Sequence, residues 1–320
     1  MRTPTASLPI LIAAAILLPS PVNARAADGE VALTFDDLPA LTIFPDQPYV
    51  DYINSTILRK LRHHHFPAIG FVNEGKVDDL VRARQIANLD RWLDAGMDLG
   101  NHSYSHSSLN EVGPEAYISD IERGEPITKA LLEKHHMHLR YFRTPYLETG
   151  STAAIREEVD GWLAARGYRT APVTIDADDW EFAEPYDDAI ARRNLAQQQH
   201  IKAEYLSHTA ARIAWAQASA RQLFGRDIAH VMLLHCTRLN ADTLDDLAKL
   251  IKRAHLRPVS LTTALEDPVY QHADTHIGPD GIGWLDRWAD ERGVDLPEAG
   301  SEDPPADIQA AYDRVDNDRR

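Results

Sequence analysis

Three short segments of this sequence carry the residue types of a metal-dependent hydrolase. They are Asp36-Asp37 within TFDD, His102 and His106 within HSYSH, and Arg143-Thr144-Pro145-Tyr146 within RTPY. Asp37 and the two histidines offer one carboxylate and two imidazoles, a ligand set that suits a zinc-like ion and leaves positions open for water and substrate. Asp36 is then free to act as a general base.

Each motif is weak evidence by itself. An Asp-Asp pair is more often a loop or a helix cap, and two histidines four residues apart are as often a polar surface turn as a ligand pair. If residues 101–109 form a helix, the spacing of His102 and His106 places both rings on one side of a helical turn. The TFDD segment favours the ligand interpretation, because it supplies the carboxylate that such a site needs.

The elements that must position these side chains follow a repeating pattern of short apolar runs and longer amphipathic stretches. The apolar runs predict seven strands, at 31–35, 68–72, 97–100, 141–143, 171–175, 230–234 and 258–261. The amphipathic stretches predict helices at 49–64, 77–95, 114–136, 152–166 and 244–254. This alternation indicates repeated β/α units. The candidate site residues directly follow strands, so they would converge at the carboxyl end of a parallel barrel.

Two regions depart from this rhythm. Residues 181–226 form an Ala-, Gln-, Arg- and His-rich stretch, which we interpret as one or two helices inserted before the sixth strand. It would be either a solvated excursion or a wall over a substrate groove. The catalytic domain would then occupy residues 27–270. In the C-terminal extension, 271–320, we expect a short helix at 283–289 and a largely disordered, acidic and Pro-rich end at 297–320.

The N-terminal segment, residues 1–26, has the features of a secretory signal peptide. Arg2 precedes an apolar run at 8–18 that is too short to span a bilayer, and a small-residue pattern predicts cleavage after Ala26. We therefore expect an exported protein, periplasmic or secreted, without stable membrane insertion. Cys236 is the only cysteine, so stability must come from a buried core and not from an internal disulfide.

The net charge of the chain limits its partners. It is −16 for the full sequence and −18 once the signal segment, which holds Arg2 and Arg25 and no acidic residue, is removed. Such a charge argues against nucleic acid or anionic lipid as the partner, because both repel an acidic surface. Neutral or cationic glycans remain compatible. The oligomeric state cannot be inferred from the sequence.

TFDD, the pattern H-S-x-x-H and R-x-P-Y, in this order, resemble the polysaccharide deacetylase family, that is, the NodB-homology or family 4 carbohydrate esterases. Asp179-Trp180 is similar to the fourth motif of that family and Leu233-Leu234-His235 to its fifth, so the resemblance covers about residues 31–265. It implies a distorted (β/α) barrel of the NodB type.

The resemblance also implies roles for the matched residues. Asp36 would be the base, His235 would be the acid that protonates the leaving amine, and Asp37, His102 and His106 would hold the metal. Zinc is the default ion, with cobalt or nickel as alternatives for an open carboxylate-histidine site.

Four further residues would support this chemistry. Arg143 would tether Asp36 and hold it ionised. Asp179 would orient His235, although Asp176 and Asp178 compete for that position and a helix N-cap or surface acid is the alternative for Asp179. The backbone N–H of Tyr146, after Pro145, would donate to the oxyanion in the family arrangement.

Trp180 and Leu233 would form the small apolar pocket that accepts the acetyl methyl group, with ordinary core packing as the alternative for both. The sequence departs from the family at Leu38, where glycine is usual, and at Thr144, where proline is commoner. We expect Leu38 to add bulk beside the base. The interval between Trp180 and His235 is also longer than usual.

The function expected from the resemblance is removal of N-acetyl groups from amino sugars of an oligo- or polysaccharide, with an acetylated glycan as the partner. O-deacetylation of a polysaccharide such as acetyl-xylan would use the same site and need less help from the acid. A catalytically silent, glycan-binding barrel is the third alternative, since a fold does not prove an activity.

Overall fold

Strand β1 (Gly29–Leu38) is the centre of the sheet. In the computed structural model, which describes residues 29–272 and 274–315, β1 pairs in parallel with β7 (Ala229–His235), with β8 (Leu256–Val259) near its start and with β2 (Ala68–Val72) towards its end. Every residue of β1 from Val31 onward is buried, as the near-continuous apolar pattern of a strand covered on both faces predicts. The signal segment predicted at 1–26 lies outside the described residues.

The remaining strands extend the sheet on both sides of β1. They are β3 (Asp98–Asn101), β4 (Tyr141–Phe142), β5 (Arg169–Thr170) and β6 (Ile175–Asp176). The order across the sheet is β5-β4-β3-β2-β1-β7-β6, and every pairing in the described residues is parallel. Helices cover the sheet, and this architecture confirms the predicted distorted (β/α) barrel.

The strand predicted at 171–175 is divided into β5 and β6, which lie at opposite ends of the sheet order. Ala171 N–H donates to Phe142 O on one side (2.8 Å), and Thr174 N–H donates to Val231 O on the other (2.9 Å). Pro172 has no N–H to continue the ladder. This one segment therefore contacts both ends of the sheet. The fifth of the seven predicted strands thus corresponds to two short strands, β5 and β6.

The helices follow the predicted pattern, except that two of the predicted helices are each split into two segments. The helix expected at 77–95 begins as a 3-10 turn, and the one expected at 114–136 is interrupted before Pro126. The helical bounds are α1 Gln47–His64, α2 Arg82–Asp94, α3 Leu109–Val112, α4 Pro114–Arg123, α5 Pro126–Lys134, α6 Ala153–Ala165, α7 Asp179–Ala191, α8 Leu195–Phe224, α9 Arg238–Arg253, α10 Leu261–Ala264, α11 Trp284–Arg292 and α12 Ala306–Val315. Helices α7 and α8 confirm the helical insertion before the sixth predicted strand. None of the described helices is long and apolar enough to cross a membrane.

The prediction of disorder at 297–320 is wrong for α12. Ile308, Ala311 and Tyr312 are buried on one side of this helix, which packs against α7. Their spacing of three and four residues is that of an amphipathic helix. The acidic, Pro-rich composition of the surrounding segment concealed that pattern.

Candidate active site

The predicted site residues converge at the carboxyl ends of the strands. Asp36 and Asp37 lie near the end of β1, His102 directly follows β3, Arg143 directly follows β4, and His235 ends β7. Arg143 is buried, and the other four line one cavity of about 710 Å³. Parallel strands deliver residues from distant parts of the chain to the same edge of a sheet, which is why five separate motifs can share one cavity.

Asp37, His102 and His106 form the three-ligand cluster that the motifs predicted. His102 Nε2 lies 3.7 Å and His106 Nε2 lies 3.8 Å from Asp37 Oδ1. One ligand atom from each residue lies within 4.8 Å of the others. The three side chains can therefore surround a single ion.

The local structure of the HSYSH segment differs from the prediction. Residues 102–108 form a loop and not a helical turn, and both Ser103 (φ 64°) and His106 (φ 56°) have left-handed backbones. Side chains take the place of helical hydrogen bonds: Ser103 N–H donates to Asn101 Oδ1 (2.7 Å), and His106 N–H donates to Ser103 Oγ (3.0 Å). The two histidines meet because of this polar loop, and the four-residue spacing is not evidence of a helix here.

The protonation of the two histidines suits metal binding. His102 Nδ1 lies 2.8 Å from the carbonyl oxygen of Arg143, which assigns its proton to Nδ1 and leaves Nε2 as an acceptor facing Asp37. Burial lowers the pKa of His102 and of His106 to about 4, against the attraction of Asp37. Both imidazoles are therefore neutral near pH 7, the form that ligates a metal.

The carboxylate of Asp37 completes the fit to a cation. Its Oδ1 atom is buried and has no hydrogen-bond partner within residues 29–272 and 274–315, while its Oδ2 atom lies 3.2 Å from Lys76 Nζ. Burial alone would raise the pKa of Asp37, but Lys76 and the two histidines hold it well below its ordinary value. An ionised oxygen without a donor, next to two neutral imidazoles, is the donor set of a divalent metal. Lys76 belongs to none of the motifs, and sequence reasoning missed it.

Asp36 and Arg143 form a buried ion pair beside this cluster. Arg143 Nη1 lies 3.1 Å from Asp36 Oδ2, and the arginine side chain is fully buried. Its Nε also donates to the carbonyl oxygen of Ala171 (2.9 Å) in the gap between β5 and β6. The net pKa of Asp36 is nevertheless raised, because burial outweighs the attraction of Arg143. The structure thus brings together the predicted pair, but Arg143 only limits the rise in the pKa of Asp36 that burial causes.

Of the three candidate aspartates, Asp179 is the one that hydrogen-bonds to His235. His235 Nδ1 lies 2.7 Å from Asp179 Oδ1, and its backbone N–H donates to Asp179 Oδ2 (2.7 Å). Asp178 instead contacts His208, at 2.8 Å, and Asp176 accepts a hydrogen bond from the backbone of Asp178.

The Asp179 contact sets the charge of His235. Burial alone would lower the pKa of His235, but Asp179 raises it to about 9. Asn240, which sequence reasoning missed, donates to Asp179 Oδ2 and to the carbonyl oxygen of His235. The imidazolium form is therefore the main form at neutral pH.

The first three motifs lie in a segment that is similar to a known protein family. Residues 23–160 match the family model described as polysaccharide deacetylase. This part of the chain is therefore similar to polysaccharide deacetylases. The matched residues include the first three motifs, whereas Asp179 and His235 lie beyond them.

Two curated relatives carry deacetylase names. A peptidoglycan-N-acetylglucosamine deacetylase of Bacillus cereus is 31% identical over 155 residues, which are 48% of this chain and 46% of that protein. A chitin deacetylase of Colletotrichum lindemuthianum is 25% identical over 166 residues, which are 52% of this chain and 59% of that protein. The alignments thus span about half the length of these relatives.

Solved structures share the fold of this chain. A polysaccharide deacetylase of Bacillus cereus superposes with a TM-score of 0.51 at 17% identity, covering 72% of this chain and 91% of the other. A mutant of a family 4 carbohydrate esterase pseudoenzyme of Bacillus anthracis gives a TM-score of 0.50 at 18% identity, covering 74% and 67%. At these identities the likeness establishes the fold alone. Because one of the two is a pseudoenzyme, the fold does not decide activity.

The other predicted site residues lie at or next to the same cavity. Trp180, Leu233 and Tyr146 line the cavity, and Pro145 is buried beneath the loop that carries Tyr146. The Tyr146 ring meets the His106 ring edge-on at 4.6 Å. Leu233 is thus both core and cavity wall, whereas half-buried Trp180 belongs to the cavity wall.

Two aspects of the cavity wall differ from the sequence expectations. Leu38 is fully buried and packs against Gly70, and it is not among the residues that line the cavity. The expectation that Leu38 adds bulk beside the base is therefore wrong for the cavity wall. Tyr312, from α12, does line the cavity, and its ring meets the Trp180 ring edge-on at 5.0 Å. The prediction of disorder concealed this residue.

Proposed function

We propose that this protein is a metal-dependent deacetylase that hydrolyses N-acetyl groups on amino sugars of an oligo- or polysaccharide. One observation carries the proposal: Asp36, paired with buried Arg143, and His235, paired with buried Asp179, line the same cavity as a three-residue cluster that can hold a metal ion. Hydrolysis of an amide needs activated water, stabilisation of the oxyanion and protonation of a poor leaving group. The cavity holds groups suited to each task.

The ligands and the base would share the first step. A divalent ion held by Asp37, His102 and His106 would polarise water and the acetyl carbonyl group. Asp36 removes a proton from the attacking water, and its raised pKa favours acceptance of that proton. Arg143 keeps the carboxylate of Asp36 oriented during the transfer. The backbone N–H of Tyr146 donates to the developing oxyanion.

His235 would complete the reaction. Its pKa of about 9 keeps it protonated at neutral pH, so it can donate a proton to the amine nitrogen as the C–N bond breaks. The products are acetate and a sugar amine. This feature favours N-deacetylation over O-deacetylation, because an amine leaves poorly unless it is protonated, whereas an alkoxide needs less assistance.

The walls of the cavity support a sugar as the substrate. Trp180, Tyr312 and Tyr146 present aromatic rings, and Leu233 adds an aliphatic surface close to His235. Aromatic rings contact the apolar faces of sugars, and a cavity of about 710 Å³ has the size of a small-molecule site. The charge of −16 favours a neutral or cationic glycan over an anionic one. The names of the two relatives, which refer to peptidoglycan and chitin, suggest the first substrates to test.

We further propose zinc as the native ion, with cobalt or nickel as the alternatives, because the donor set is one carboxylate and two imidazoles. We propose export to the periplasm or the medium on the basis of the signal-like segment at 1–26. Fractionation of cells that express the full chain, together with the N-terminal sequence of the mature protein, tests export and cleavage after Ala26.

The test of function is acetate release from N-acetylglucosamine oligomers, peptidoglycan and acetyl-xylan by zinc-, cobalt- and nickel-loaded protein. Wild type is compared with Asp36→Ala and with a control at the exposed Asp79, Asp79→Ala. Acetate from the N-acetyl substrates that disappears only in Asp36→Ala supports the proposal. Release from acetyl-xylan alone would instead indicate an O-acetyl esterase. Metal and glycan binding without any release would indicate a silent glycan-binding barrel.

A further inference from the structure

The loop that carries Tyr146 has an unusual backbone. Tyr146 and Leu147 are consecutive non-glycine residues, and each has a left-handed φ of 55°. Side chains disfavour this conformation, so two such residues in succession persist only when surrounding structure holds them in place. The segments that hold this loop therefore decide where the Tyr146 N–H group lies.

Arg287, from α11, supplies one part of that restraint. Its side chain is 3% exposed, and its Nη2 donates to the carbonyl oxygen of Leu147 (2.6 Å) while Nη1 donates to Thr149 Oγ1 (3.0 Å). The remaining Nε donates to the carbonyl oxygen of Ile282 (2.9 Å). One guanidinium thus ties the Tyr146 loop to residues of the C-terminal extension, in three directions that a single ammonium group cannot reproduce. Arg287 is not among the residues that line the cavity, so it would act through the loop.

Gly281 supplies the second part. A Cβ atom at this position would lie 1.8 Å from the carbonyl oxygen of Tyr146, so only glycine fits against that peptide. The same turn is fixed on its other side, where Asn110 Nδ2 donates to the carbonyl oxygen of Pro279 (2.7 Å). Gly281 and Arg287 therefore contact successive peptides of the Tyr146 loop from one segment of the extension.

We infer that Arg287 and Gly281 are positioning residues for the reaction: they fix the backbone of Tyr146 so that its N–H group points at the developing oxyanion. This inference rests on the proposed function, because only a deacetylase uses that N–H group. A donor aimed at the oxyanion stabilises the transition state more than the bound substrate. Misplacing it should consequently lower kcat and leave KM nearly unchanged.

Two pairs of variants test the inference kinetically. Arg287→Lys keeps the charge but loses the three-way contact, and its control is Arg292→Lys in the same helix, where the arginine contacts Leu223 O and not the loop. Gly281→Ala places a methyl group against Tyr146, and its control is Gly283→Ala, whose nearest neighbour would be the carboxylate of Asp286 at 3.2 Å.

We expect Arg287→Lys and Gly281→Ala to lower kcat by about 10- to 100-fold, somewhat less than full loss of an oxyanion donor. KM should stay within about twofold of wild type in Arg287→Lys, because Arg287 does not line the cavity, whereas Gly281 does line it and Gly281→Ala is judged by kcat. Zinc affinity should be unchanged, and neither control should alter kcat. Wild-type kcat in both variants would overturn the inference. A fall in kcat together with a rise in KM and weaker zinc binding would also overturn it, because that pattern indicates general disruption of the fold.

Amide hydrogen exchange provides a readout that does not need turnover. Backbone amides of residues 144–149 should exchange faster in Arg287→Lys and Gly281→Ala than in wild type or the controls, whereas those of β1 should not change. If wild type releases no acetate from any substrate, the proposed function fails. Faster exchange would then still support the restraint of the loop but remove its catalytic purpose, and unchanged exchange would reject the restraint itself.

Discussion

The two halves of the barrel supply different parts of the site. The half at residues 29–160 carries Asp36, the metal-binding cluster and Arg143, each within a few residues of a strand end. The half at residues 161–315 carries His235 with Asp179 and also Trp180 and Tyr312 of the cavity wall. Arg287 and Gly281, which contact the Tyr146 loop, lie in the same half. The first half is defined by compact motifs, and the family model matches it. The second is assembled from α7, α11, α12 and β7 through tertiary contacts.

Because of this difference, substitutions in the two halves should have different effects. A metal cluster needs three ligands at fixed distances, and a few residues after parallel strands provide them. The groups that orient the proton donor and line the substrate cavity lie partly on helices, and helices of many lengths can supply them, provided that they pack over the same edge. We therefore expect changes in the first half to abolish the chemistry, and changes in the second half to alter its pH dependence, its rate or its affinity for substrate.

The largest effect should come from the metal cluster. In Asp37→Asn the anionic oxygen is replaced by a neutral amide, so zinc binding and acetate release should both fall to background, a loss of at least about 100-fold. Zinc content measured by mass spectrometry, with Asp79→Asn as the exposed control, checks this. A variant that retains a full equivalent of zinc at wild-type affinity would show that the cluster is not the metal site.

The next effect concerns the pH dependence that the second half supplies. Asp179 holds the pKa of His235 at about 9, against the lowering effect of burial. In the proposed mechanism, activity needs protonated His235, so it should fall as the pH rises through that pKa. In Asp179→Asn the pKa should drop by about 1–3 units, and the alkaline limb of kcat/KM should move to lower pH by the same amount.

Asp178→Asn is the matched control for this experiment, because Asp178 is adjacent in sequence but contacts His208. Its alkaline limb should coincide with that of wild type. An equal shift in both variants would mean that neither aspartate is specific for His235.

A smaller effect is expected at the cavity wall. Tyr312→Ala removes a ring that lines the cavity beside Trp180, so KM for a glycan oligomer should rise by about five- to tenfold, as the loss of roughly 1 kcal/mol of contact between that ring and the sugar predicts. Tyr312→Phe keeps the ring and should bind nearly as well as wild type. Initial rates across a range of oligomer concentrations give KM and kcat separately. An unchanged KM in Tyr312→Ala would exclude Tyr312 from the substrate site.

The smallest effect on activity, and a separate effect on stability, should come from His230 in β7. This side chain is fully buried, and burial lowers its pKa to about 4. The unfolded chain binds a proton near pH 6.5 and the folded chain does not, so this contribution to stability is present above pH 6.5 and decreases as the pH falls towards 4. The loss should be on the order of 1–3 kcal/mol.

His230→Gln should flatten that part of the pH dependence, measured by urea unfolding of metal-free protein between pH 7 and pH 4. The exposed His138→Gln should retain the wild-type slope. Equal slopes in wild type and His230→Gln would show that His230 does not cause the acid sensitivity.

The sequence was sufficient for the parts that depend on local pattern. Alternating apolar runs predicted the barrel and its strands, because burial on both faces imposes that pattern on each strand. The order of the motifs placed Asp36, Asp37 and His102 at strand ends, and the structure brings them together. The Ala-, Gln-, Arg- and His-rich composition likewise located the insertion that contains most of α7 and α8.

Only the tertiary structure decided the rest, because each remaining feature depends on groups that are distant in sequence. Three aspartates lie within four residues, and packing of α7 against β7 selects Asp179 for His235. Lys76 approaches Asp37 from the end of another strand. Tyr312 reaches the cavity because α12 packs on α7, although its segment has the composition of a disordered tail. Local sequence fixes which residues can follow a strand, but the free energy of long-range packing determines which of them meet.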